Sequence, residues 1–161
     1  MSTVVSQVSV NNEKPIDREK ICPLLLRVFC ANGRHNSLQD YGRGGTPANE
    51  LQMYTWMDCT LRELTSLIKE VNPEARRRGT NFDFAIVTPD KNYPRFYMRT
   101  IGITTNGQRG IDDGKTLQMC KFEVGDFIDV AISMPGAGMG QRRNFNYDRD
   151  RRQGSPNRDR R

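Results

Sequence analysis

One histidine (His35) and one tryptophan (Trp56) stand among 161 residues, and the four cysteines show no CxxC spacing. A tetrahedral zinc site needs a convergent set of Cys and His ligands, so that chemistry is not expected. Cys22, Cys30, Cys59 and Cys120 read instead as reduced thiols of the cytosol or nucleus. Long apolar runs are also missing. None approaches the roughly 18–20 residues that cross a bilayer, and no membrane partner is expected. The first residues, MSTVVSQVSVNNEKP, have neither a basic region nor an apolar stretch, so they are not expected to be a secretory signal. Apolar residues are only 35% of the chain and the mean hydropathy is −0.73, little for a packed domain of this length.

The charge is uneven. The formal net charge is +6, but residues 141–161 hold 8 Arg and 3 Asp, a net of +5. Residues 1–140 carry 17 basic and 16 acidic side chains, a net of +1. A basic body that grips a nucleic-acid duplex is therefore disfavoured. Residues 1–14 lack helical period and turn punctuation and read as a disordered leader. Residues 135–161 contain, after Met139, only Phe145 and Tyr147 as sizeable apolar groups, too few to offset the entropy of ordering. The folded unit is expected over 15–134.

Within it, Leu24–Cys30 reads as a strand, and Asn32-Gly33 as a hairpin turn returning a second strand over Arg34–Tyr41. Gly42–Asn49 is a loop, and the Leu51/Met53 alternation suggests a short extended piece. Met57, Leu61, Leu64, Ile68 and Val71 form one helical stripe that stops at Asn72-Pro73. Its start is open between two capping boxes, Thr55/Asp58 and Thr60/Glu63. Phe82, Phe84 and Ile86 give a strand with one buried face, and Arg95–Ile101 a weaker strand. Residues 104–114 are rich in turn formers, and a short helix or turn opens near Leu117. Phe127–Ile132 is the last strand. One helix on a mixed sheet of about five strands is an α+β solution, and this order suits the ubiquitin-like β-grasp. In that arrangement the last strand lies parallel to the first at the sheet centre. Arg27 and Asp129 then share the outer face, where they are expected to pair.

Three segments, EKPIDREKICPLLLRVF (Glu13–Phe29), ELQMYTWMDCTLRELTSLIKEVNPEARRRG (Glu50–Gly79) and KFEVGDFIDVAI (Lys121–Ile132), resemble the eighteen-kilodalton Sin3-associated polypeptide family. The likeness covers roughly 13–134, and ELQMYTWMD is its most specific block. It implies a ubiquitin-like fold and a non-enzymatic adaptor with no cofactor, resident in the nucleus, with the cytoplasm as a second location. The partners it implies are the Sin3–histone deacetylase corepressor and a splicing-linked complex associated with the exon junction complex. That complex contains acinus or pinin and an RRM-containing splicing activator. Sequence-specific transcription factors are a further class of partner.

Catalytic readings are weak on the residues themselves. Cys59 near a helix start needs a base, and His35, two residues past the Asn-Gly turn, is expected to be exposed. Asp112 and Asp113 are adjacent in a Gly-rich turn and do not converge as an acid and base must. The glycines of Gly42–Gly45 lack the following Lys and Ser/Thr of a phosphate loop. Gly44-Gly45 is internal, so ubiquitin-style conjugation is not expected.

Binding readings are better. Tyr41 on one expected edge strand, and Arg95, Phe96 and Tyr97 on the other, are candidates for holding a partner strand. Tyr93 stands close by. Arg76, Arg77 and Arg78 are a candidate contact for an acidic partner or anion, against the plainer reading of a solvated loop. Trp56 is read as packing rather than docking. In the tail, Arg142, Arg143, Phe145, Tyr147 and Arg149 suit weak, salt-sensitive RNA contact, or simply a solubilising tether. Ser155-Pro156 is a candidate phosphorylation site.

Overall fold

The computed structural model describes residues 15–42 and 44–136, so the leader, the Arg-rich tail and Ser155 lie outside the described residues. Five strands form one sheet: β1 (Leu24–Asn32), β2 (Glu50–Thr55), β3 (Asn81–Pro89), β4 (Phe96–Thr105) and β5 (Phe127–Ser133). The sheet order is β2-β1-β5-β3-β4. The last strand is the middle one. It runs parallel to β1 and antiparallel to β3, and the other pairings are antiparallel. With the helix α1 (Leu61–Val71) this is the α+β, ubiquitin-like arrangement that the element order predicted.

The helix starts at the second of its two capping boxes. The Thr60 side chain accepts from the Glu63 N–H at 3.1 Å. Residues 57–60 cannot be helical because they are tied to a neighbouring loop: Gln118 N–H donates to Met57 O and Leu117 N–H to Cys59 O. Leu61, Leu64 and Ile68 are buried as the stripe requires, whereas Val71, at its far end, is 59% exposed. They pack on Leu26 and Val28 of β1, Phe82, Phe84 and Ile86 of β3, and Ile128, Val130 and Ile132 of β5. Leu117 and Phe122, from the long connection into β5, fill the rest of this layer. Gly102 is required where β4 crosses the helix start, since a Cβ there would lie 2.9 Å from Leu61 Cδ1.

The segment after β1 departs from expectation. Gly33 does take the positive φ of a turn (80°), but its N–H donates to Ile132 O, so the chain crosses toward β5 instead of doubling back on β1. Residues 38–41 form a 3-10 turn capped by the Ser37 side chain, and the true partner of β1 is Glu50–Thr55. The reason is side-chain supply. Arg34–Tyr41 is mostly polar, whereas Leu51 and Met53 alternate and pack against the core. The displaced segment then covers part of the outer sheet face. That is why β3 is buried on both faces, with Ala85 and Val87 as inaccessible as Phe84.

Leu64→Ala is expected to cost about 3 kcal/mol in urea unfolding, and Thr60→Ala about 1 kcal/mol. Equal costs would show that the stripe contributes no more than the cap.

Candidate functional site

On the outer face, a second, smaller cluster joins Phe29, Tyr41 and Val87 to the half-buried Phe96, Met98 and Phe127. The Tyr41 ring stacks on Phe127 with centroids 5.6 Å apart, and Phe96 leans on both rings at 6.1 Å. Tyr41 is thus a buried pillar. Its expected place on an exposed edge strand is corrected, because the 3-10 turn drives its ring into the sheet. Met98 and Val87 lie opposite each other across β3 and β4 and complete the apolar floor.

Beneath Tyr41 lies Asp129, wholly buried in the central strand. Four donors reach its carboxylate. Asn36 Nδ2 lies at 2.8 Å, the Asn36 N–H at 3.3 Å and His35 Nδ1 at 2.7 Å, and Tyr41 Oη donates a further hydrogen bond. Burial alone pushes this carboxyl up, but the His35, Tyr41 and Asn36 donors outweigh it and hold it below its usual value. Burial, then the bond to Asp129, raises the Tyr41 hydroxyl well above the ordinary phenol range. His35 is raised chiefly by its bond to Asp129, and its Nε2 stands 3.4 Å from an Asp83 oxygen. His35 is therefore not the exposed side chain that its sequence position suggested. The Arg27–Asp129 pair is also corrected. The two do share the outer face, but Arg27 pairs with Glu50 of β2 and lies over the Phe29 and Phe127 rings. Asp129 faces the crossing segment instead.

A cleft of about 680 Å³ opens beside this cluster, lined by Leu38, Gln39, Asp40 and Gly42 on one wall and by Pro94, Arg95 and Phe96 on the other. The β3–β4 turn that supplies the second wall is organised by Asp90. Its carboxylate takes the Asn92 N–H at 2.9 Å, Arg95 Nε at 2.8 Å and Tyr97 Oη at 3.0 Å. Those donors, the Asn92 amide first, hold Asp90 down at about 2. The Arg95 guanidinium lies between the rings of Tyr93 and Tyr97, 5.0 and 5.1 Å from their centroids. Both rings remain at least half exposed. Arg95, Phe96 and Tyr97 are thus held together at the start of β4, which is a sheet edge as expected. The other edge is β2, not Arg34–Tyr41. Leu38 and Pro94 escaped the sequence reading. Their signals were a single leucine in a polar stretch and a proline beside three aromatics.

Arg76, Arg77 and Arg78 lie elsewhere, beyond the end of the helix. Arg76 has a structural duty, donating to the Lys69 and Glu70 carbonyls at 2.6 and 2.9 Å. Trp56 packs, with Nε1 donating to Ile21 O and Arg18 over its ring. Cys59 is buried, and burial raises its thiol to about 11. The same cause takes Cys30 to about 12. Neither is set up as a thiolate nucleophile. Asp112 is engaged by the Ile103 N–H and Lys115, and Asp113 by Arg62, which are turn-holding roles. The candidate tail contacts Arg142, Arg143, Phe145, Tyr147 and Arg149 fall outside the described residues.

The bridge from His35 to Asp129 predicts a pH effect. A histidine whose folded pKa exceeds its unfolded value adds stability in full below about pH 6.5, and this is lost as pH rises through the folded pKa. The thermal midpoint of the wild type should therefore fall from pH 6 towards the alkaline side, about pH 8, and His35→Gln should flatten that slope. An unchanged slope in the variant would remove His35 from the linkage. Asp129→Ala should cost about 3 kcal/mol, because it strands the buried Tyr41 hydroxyl and the half-buried His35 and Asn36 donors.

Comparison with known proteins agrees with the geometry. The profile of the Sin3 associated polypeptide p18 family matches residues 15–132. A Caenorhabditis elegans protein named as a probable histone deacetylase complex subunit SAP18 is 61% identical over 163 residues, spanning 95% of this chain and 96% of its own. The histone deacetylase complex subunits SAP18 of Drosophila melanogaster and Homo sapiens are 58% and 55% identical. They cover 76% and 80% of this chain, and 81% and 85% of their own lengths. The ubiquitin-like sheet, the profile match and these identities together place the chain in the Sin3 associated polypeptide p18 family.

Proposed function

We propose that this protein is a non-enzymatic adaptor subunit of a Sin3–histone deacetylase corepressor, acting in transcriptional repression through protein–protein binding. The support is twofold. Its relatives are named as histone deacetylase complex subunits. Its described surface offers an organised binding edge. The observation that carries the reading is the β4 edge at its Phe96 end, beside the cleft, since further along Asp112 and Lys115 engage the Ile103 N–H and the Ile101 carbonyl. An extended partner segment adds to unpaired backbone groups there and seats one apolar side chain between Leu38 and Pro94. Arg95 and Tyr97 supply the rim.

The same adaptor role extends, in this proposal, to the splicing-linked complex containing acinus or pinin and an RRM-containing splicing activator. The protein then works in the nucleus and, secondarily, in the cytoplasm. Transcription factors reach the corepressor through it.

Calorimetric titration of the full chain with overlapping peptides of acinus tests the surface. Arg95→Ala and Tyr97→Ala should each weaken binding about tenfold, with unfolding shifted by no more than about 0.5 kcal/mol. Tyr41 is unsuited to such a scan, since its loss would disturb the Asp129 cluster. Wild-type affinity in both variants would move the surface away from β4. Binding that persists in both variants but is lost on removing 141–161, and falls steeply with salt, would favour the RNA-associated tail.

A further inference from the structure

At the opposite end of β4 from Arg95, about 33 Å along the strand, the chain builds a second polar centre around Asn106. Its backbone and side chain tie together three segments. Asn106 N–H donates to Thr80 O at 2.8 Å, and Gly79 N–H donates to Asn106 O at 2.9 Å. Asn106 Nδ2 donates to the carbonyls of Arg76 and Arg77 at 2.7 and 3.1 Å, and Lys69 Nζ donates to Asn106 Oδ1 at 2.9 Å. Thr80 Oγ1 adds a bond to Arg77 O at 2.7 Å. The stem of Arg78 lies on Gly107, where a Cβ would come within 2.9 Å of Arg78 Cγ. The three-arginine segment is therefore a fixed platform, not a loose loop.

Its charges are unequally employed. Arg76 neutralises the last helical carbonyls. Arg77 and Arg78 are exposed and have no carboxylate partner among the described residues. Arg18, Arg27, Arg62 and Arg95 each pair with an Asp or Glu, while Arg34, Arg99 and Arg109, on other segments, also lack such a partner among the described residues. On the Arg76 side of this platform is a shallow pit of about 350 Å³, lined by Ser66, Lys69, Glu70, Arg76 and Asn106. A fixed backbone beneath these two guanidinium groups lowers part of the ordering cost of meeting an anion, though the side chains themselves still have to be ordered.

We infer that the Lys69–Arg77–Arg78 corner docks a short acidic peptide segment of a partner protein, at a surface separate from the β4 cleft. Three features favour peptide over nucleic acid. Among the described residues, no aromatic side chain on which bases could stack lines the pit. Glu70 and Glu74 flank it and would repel a continuous phosphate backbone, but they leave room for one or two carboxylates. The exposed Val71 beside them offers an apolar contact that suits a peptide. The inference does not depend on the corepressor assignment.

The test uses the full ¹⁵N-labelled chain titrated with a twelve-residue peptide of alternating Glu and Ser, and in parallel with oligouridine of equal length. Saturable shifts of the Gly79, Asn106 and Gly107 amides by the peptide are expected. Arg77→Gln/Arg78→Gln should weaken that binding about fivefold, while Arg77→Lys/Arg78→Lys retains most of it. Arg34→Gln/Lys91→Gln, with the same loss of charge elsewhere, should leave it within twofold and so controls for overall charge. Peptide shifts that avoid these three amides would overturn the proposal even if a variant failed to fold. Equal weakening by the Arg34/Lys91 control would overturn it too, as would oligouridine moving the same amides with equal or greater affinity.

Discussion

A carboxylate buried at the centre of the sheet is the constraint around which this domain is arranged. Asp129 occupies the middle strand with no access to solvent, a position that is tolerable only if its charge is met by donors. His35, Asn36 and Tyr41 supply them, and all three belong to the stretch that follows β1. Satisfying one charge thus dictates the path of a whole segment. That segment brings Tyr41 onto Phe127 and Phe96, closes the outer face over β3, and presents Leu38 and Asp40 as a wall of the cleft. The polar network and the candidate binding surface are therefore two sides of one structural decision.

Much of this was legible in the residues. The stripe from Leu61 to Ile68, the alternation of Phe82, Phe84 and Ile86, and the parallel pairing of first and last strands all follow from periodicity and element order, whereas the choice of Thr60 over Thr55 as the cap is made only by the folded chain. The position of β4 at an edge was legible too. The reading failed where local and long-range signals disagree. Asn32-Gly33 has the chemistry of a hairpin and adopts its turn geometry, but the donors of the next eight residues find a partner nearly a hundred positions away. A buried Asp in a strand announces that it needs partners without saying which. Arg27 was the obvious candidate, and Glu50 on the adjoining strand was closer to hand.

The candidate surfaces divide by the same logic. Arg95, Phe96 and Tyr97 are consecutive, so their clustering could be seen in the sequence, and Asp90 and Tyr93 add order from within the same turn. The complementary wall comes from a segment more than fifty residues earlier and is visible only in the folded chain. Arg76, Arg77 and Arg78 look alike as letters. Hydrogen bonding separates them, turning one into a helix cap and leaving two with their charge unspent.

The central place of β5 has a consequence for how the molecule is made. β1 with β2, and β3 with β4, form two antiparallel pairs that share no strand contact until β5 enters between them. A nascent chain that has passed Thr105 therefore has the residues of both outer halves of the sheet but not the strand that joins them. Each half exposes an edge fitted for a strand that has not yet been synthesised. Completion waits for β5, so the sheet closes late and over long sequence separations, a topology that folds slowly. Until then, the partner-like strand most available to those edges is one from another chain.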